Sequence, residues 1–201
     1  FVRWRLFVYA GLFLLLVAPA SLTPLMLVRS FGGTESQDVF NLAVLEVAYS
    51  AGLVLGGVVI AMWGGPKNRL MLIVLAALGF GALSIGLGLS PNILVFFACM
   101  GVLGIVAPFF GTSAMTLLQE TVEPDRQGRV FGFVGIVTAL AMPLGMAIFG
   151  PMADVMPVEA LLVAAGILTF VVMGLALVLP AGRRALSAAH QVSSSRSPAA
   201  P

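Results

Sequence analysis

A single carboxylate, Glu46, lies deep within an apolar run, LEVAYSAGLVLGGVVIAMWGGPKNR, and no other charged residue reaches so far into an apolar segment. At helical spacing Tyr49 (i+3) and Ser50 (i+4) share its side, so the three form a short polar stripe. Glu46 stands about eight residues, or roughly 12 Å, from the nearer end of the run at 1.5 Å per residue. Insertion scales put a charge at the centre of a membrane helix at about 2.5–3.5 kcal/mol, so such a group faces a cavity, pairs with another group or carries a proton. Removal from water disfavours the charged form of a carboxyl. The stripe is expected to point into a helix bundle. There Glu46 is either a polar anchor and protonation site, or a protonated, purely structural hydrogen-bonding group.

A second polar set, Thr112, Thr116 and Gln119, recurs along one side of a later apolar run, with Ser113 beside it. These residues either line a substrate path or bond back to their own helix. The ten methionines and fourteen phenylalanines either line an adaptable apolar pocket or simply pack. Enzyme chemistry lacks its residues. The one histidine, His190, is in the tail, so no Ser/His or Cys/His constellation can form in the apolar part. Gly111-Thr112-Ser113-Ala114 shares part of an intramembrane serine-protease motif but lacks its following glycine and its histidine. Neither a Cys/His metal spacing nor a phosphate-binding Lys loop is present. The single Cys99 cannot form an intrachain disulfide. The expectation is a protein without catalytic residues, cofactor, metal or nucleic-acid partner.

The elements that must hold these residues follow from composition. The chain is 60% hydrophobic and 9% charged, against about 25% charged for a soluble domain. Such a sequence cannot cover a water-facing surface, so its solvent is lipid. A spanning helix needs roughly 20 apolar residues, and charged and turn residues mark off six runs, at about 6–28, 39–63, 70–89, 93–118, 130–153 and 158–179. They are too long and too uniformly apolar for barrel strands. The expected architecture is an all-α membrane domain over 1–180, one bundle of six transmembrane helices, followed by a polar Ala/Ser-rich cytoplasmic tail over 181–201. The missing initiator methionine and the absence of a signal-peptide pattern suggest a piece of something longer.

Lys and Arg favour the cytoplasmic side. With six spans, Arg3, Arg5, Lys67, Arg69, Arg126, Arg129, Arg183, Arg184 and Arg196 all fall on one side and only Arg29 on the other. Both ends are therefore expected in the cytoplasm, with loops 29–38, 90–92 and 154–158 outside. Gly52-x-x-x-Gly56 and Gly128-x-x-x-Gly132 are spacings that let two helix backbones approach closely, as a static seam or a sliding one. Pro19, Pro24, Pro108 and Pro143, the last close to Gly145, each remove a helix N–H and mark kinks or hinges. Glycine-rich second and fifth spans give the halves a faint echo, as in a 3+3 inverted repeat.

The first run quoted, and then PDRQGRVFGFVGIVTALAMPLGMAIFGPMADV, resemble the C-terminal half of a major facilitator superfamily transporter. They are most similar to the drug-efflux branch with macrolide-efflux and siderophore-export proteins. The resemblance covers about Arg3 to Pro180, and Arg-x-Gly-Arg-Val-Phe-Gly, Met-Pro-Leu-Gly and Phe-Gly-Pro-x-Ala-Asp are its most specific parts. It implies a twelve-helix fold in which these spans are helices 7–12, and a missing N-terminal six-helix bundle as partner. It also implies a small amphipathic substrate bound between the bundles, and coupling to an ion gradient, usually of protons. Of the family's Gly-x-x-x-Asp-Arg-x-Gly loop, Gly64 and Arg69 match, whereas Asn68 replaces the acid and the trailing Gly-Arg-Arg is absent. In the loop before the fifth span, Asp125, Arg126, Gly128 and Arg129 fit the pattern, so Arg126 and Arg129 are either gate residues or topology anchors. The reading is one half of a proton-coupled drug exporter in the cell membrane. The alternative is a non-transporting six-helix scaffold or assembly subunit.

Overall fold

In hydrocarbon a backbone has no water to bond, so each apolar run satisfies its own N–H and C=O groups as an α-helix. The computed structural model describes residues 2–63 and 69–178, with side chains from Leu15 onward apart from residues 16, 70, 121, 124 and 176–178. It contains six helices: α1 (Val2–Phe31), α2 (Glu35–Trp63), α3 (Arg69–Gly88), α4 (Ile93–Thr121), α5 (Pro124–Val155) and α6 (Val158–Val178). Among the described residues there is no strand. Helices α2 to α6 are each long and apolar enough to cross a membrane, and α1 is 30 residues long. The expected tail over 181–201, His190, Lys67, Gly64 and Asn68 lie outside the described residues, as do the side chains of Arg3 and Arg5.

Several helices outrun their apolar cores. The loop expected over 29–38 shrinks to Gly32, Gly33 and Thr34, because α1 continues to Phe31 and α2 starts at Glu35. Polar residues in the opening turn serve α2 as caps: the Asp38 carboxylate accepts from the Gly33 amide at 2.9 Å, and Glu35 and Asp38 sit at the positive end of the helix. Similarly, α5 begins at Pro124, not near residue 130. Proline suits the first position of a helix, and Asp125 occupies its first turn. Asp125, Arg126, Gly128 and Arg129 therefore belong to the first turns of a helix, not to a loop. At the start of α4, Asn92 accepts from the Val95 amide at 3.0 Å.

Packing is carried by small residues, as expected where lipid removes the hydrophobic drive between helices. Gly52 and Gly56 of α2 lie against Gly101, Gly104 and Ile105 of α4; a Cβ on Gly52 would stand 3.0 Å from the Gly104 Cα. A second seam joins α3 to α6. There a Cβ on Gly166 would stand 2.6 Å from the Gly81 carbonyl oxygen, and one on Gly88 2.6 Å from that of Glu159. Beside it, buried Ser84 donates to the Leu162 carbonyl at 2.8 Å. Gly145 of α5 is buried against α1, where a Cβ on it would stand 3.0 Å from the Val17 side chain. The core lies among α1, α3, α4 and α6, around Leu22, Leu27, Leu87, Phe96 and Leu162. Helices α2 and α5 bury the least of their length. The second glycine spacing finds no neighbour: a Cβ on Gly128 or Gly132 would meet nothing within 4 Å.

Candidate functional site

The polar stripe on α2 divides. Tyr49 is half-buried and packs against the core beside α4, while Glu46 and Ser50 are exposed. This corrects the expectation that the whole stripe points into the bundle. The reason is geometric: Gly52 and Gly56 fix the α4-facing side of α2, and Glu46 and Ser50 lie off that side. With Val47, Ala51 and Val54 they make one open, exposed strip of α2. Val47 and Val54, both about two-thirds exposed, flank the carboxylate with apolar surface. This side of the helix can accept hydrogen bonds or a cation at Glu46, and its small residues leave room for a close approach.

One member of the polar set on α4 bonds back to its own helix. The Thr116 hydroxyl donates to the Thr112 carbonyl at 2.8 Å, one turn back, as the back-bonding reading expects. Thr112 and Gln119 are exposed, and Thr116 is half-buried. Ser113 differs: it is fully buried and its hydroxyl has no partner among the described residues.

At the end of the bundle that carries Arg129, the charges are held locally. Arg126 pairs with Glu123 at 3.3 Å, and both are well exposed. Asp125 and Arg129 are exposed on the first turns of α5, and Arg69, half-buried, opens α3. Gln127 does unexpected work here, its side-chain amide donating to the Gln119 and Val122 carbonyls at 3.2 Å each. It thereby satisfies carbonyls left open where α4 ends. Pro143 is exposed in the middle of α5, and Pro151 is a further proline in the same helix. Among the described residues no three His, Cys, Asp or Glu side chains gather as a metal site.

Sequence reasoning missed Gln127, the α3–α6 glycine seam and the role of Arg29. Gln127 lies within a segment read as a loop. The seam has no short spacing to mark it. Arg29 stood out only as the lone cation on its side.

Five membrane-length helices plus α1, joined by glycine seams, define a multi-pass membrane protein. The chain belongs to the Major Facilitator Superfamily, whose family model matches residues 5–201. It is similar to Macrolide efflux protein A of Streptococcus pyogenes, 30% identical over 152 residues, which cover 72% of this chain and 38% of that protein. It is also similar to Macrolide efflux protein A of Enterococcus faecalis, 30% identical over 144 residues, covering 68% of this chain and 45% of that protein. The chain thus spans less than half the length of these curated relatives, and its likeness is to the drug-efflux branch of the family. No solved structure matches it.

Proposed function

We propose that this chain is the C-terminal six-helix bundle, helices 7–12, of a proton-coupled exporter of amphipathic small molecules of the macrolide kind. The observation that carries the reading is the exposed Glu46 carboxylate on an otherwise apolar strip of α2. A carboxylate exposed on a membrane-spanning helix is costly in lipid, and in an alternating-access protein the other bundle covers such a face. The coverage of 38% and 45% of the relatives' lengths agrees with such a half. Glu46 is the polar anchor or protonation site in this reading, with Ser50 beside it and Tyr49 behind. Arg69, Asp125, Arg126 and Arg129 lie at the cytoplasmic end as gate or topology residues, and the Arg29 end faces outward in the cell membrane.

The test uses the full-length protein in cells. Macrolide accumulation is measured with and without a proton uncoupler, for the native protein and for Glu46→Gln. Low accumulation that rises with the uncoupler, and a Glu46→Gln variant that expresses normally but no longer exports, is the expected result. Native export by the variant returns Glu46 to a structural role, and no export by the native protein favours the scaffold.

A further inference from the structure

Three consecutive residues close α1, and each reaches a different helix. Arg29 donates to the Asp154 carboxylate at 2.8 Å and to the Ala153 carbonyl, both in the last turn of α5. Ser30 donates to the Glu159 carboxylate in the first turn of α6. Phe31 sets its ring against Phe96 of α4, with centroids 5.6 Å apart and planes at 52°. Successive residues of an α-helix are turned by about 100°, so one turn of α1 fans out in three directions.

Each contact suits the place it reaches. The last carbonyls of a helix have no partner within it and carry the negative end of its dipole, so a guanidinium at the end of α5 answers both. Glu159 sits at the positive end of α6, where an anion is favoured, and is held there by Ser30. Phe96 is fully buried, so the third contact is apolar and indifferent to salt. Arg29 and Asp154 are 43% and 73% exposed, and an ion pair so placed contributes little alone. What is unusual is the convergence. Helices α5 and α6 touch each other sparingly and are joined only through Met156 and Pro157, while α1 packs on both.

We infer that the Arg29-Ser30-Phe31 tip of α1 is a splint that holds the adjoining ends of α1, α4, α5 and α6 together as one plate. The plate moves as a unit during transport, so helix rearrangements within the bundle take place away from this end. The transport part of this inference rests on the proposed function; the splint itself does not.

The test uses the full-length protein with its native cysteines, Cys99 among them, replaced. Ser30→Cys and Glu159→Cys are introduced together and oxidised with copper–phenanthroline, and disulfide formation is read as protection from a maleimide-coupled polymer. The expected result is protection of the pair and undiminished macrolide export after oxidation. Lack of protection overturns the splint, and export lost on oxidation and recovered with reductant overturns the single plate. Should the parent protein export nothing, the transport reading fails by itself, and thermal unfolding of purified protein judges the splint. Phe31→Ala and Arg29→Met should each lower the melting temperature, and Arg29→Met should cost less in an Asp154→Asn background, where its bond to the Ala153 carbonyl is what remains to be lost. Additive losses at Arg29 and Asp154 would reject the splint.

Discussion

Gly52 of α2 and Gly104 of α4 meet backbone to backbone: a Cβ on Gly104 would stand 3.1 Å from the Gly52 Cα and collide with the Tyr49 carbonyl. The contact fixes which side of α2 is turned inward, and with it the outward direction of Glu46.

Gly52→Val should therefore separate α2 from α4. Overpacking a tight contact costs about 1–3 kcal/mol, and here the obstacle is backbone, which cannot rotate away. The melting temperature in detergent should fall clearly. Gly57→Ala is the control: a Cβ there meets nothing within 4 Å and should leave the melting temperature unchanged or slightly raised.

Ser84→Ala should weaken the α3–α6 seam modestly. Its hydroxyl bonds the Leu162 carbonyl across the two helices, and such bonds average about 0.6 kcal/mol within membranes. Thr169→Val, which removes the bond to the Ala165 carbonyl of its own helix while keeping the side chain's volume, should cost less. Denaturation of the two variants side by side checks the order.

Gln127→Ala should loosen the turn between α4 and α5. The side chain bonds two carbonyls there, and the loss is expected at about 1 kcal/mol. Amide exchange should quicken at the end of α4 and the start of α5, and stay unchanged at the start of α4, where Asn92 is the cap. Uniform quickening would mean that Gln127 supports the whole bundle.

Cysteines placed singly at Thr34 and Gly128 report orientation, since both positions are exposed and lie at opposite ends of the bundle. In whole cells an impermeant thiol reagent should label the Thr34 position and spare the Gly128 position until the membrane is opened. The reverse pattern inverts the topology.

The helices themselves were legible because apolar length and turn residues act locally. Their ends were less so: Asp125 to Arg129 look like loop residues, although Pro124 marks a helix start, and polar caps extended α2 in the same way. The glycine spacing at Gly52 and Gly56 was visible, but its partners Gly101 and Gly104 were not, because a spacing says that a side is smooth and not what lies on it. Which residues of the Glu46 stripe turn toward α4 was hidden for the same reason. Periodicity set Tyr49 and Ser50 beside it, and only the α4 contact decides that Tyr49 turns in and Ser50 out. Arg29 was readable as an exception to charge bias, yet Asp154 and Glu159 lie far along the chain and no local pattern links them.

The seam between α2 and α4 joins helices that are not neighbours in sequence, since α3 lies between them. During synthesis α2 is made first and α4 only after a further helix has formed. Over that interval Gly52 and Gly56 present a bare groove with nothing to fill it, and Glu46 stands on the same helix. Newly made α2 is thus an orphan awaiting a later arrival, and its seam can close only once α4 has been made.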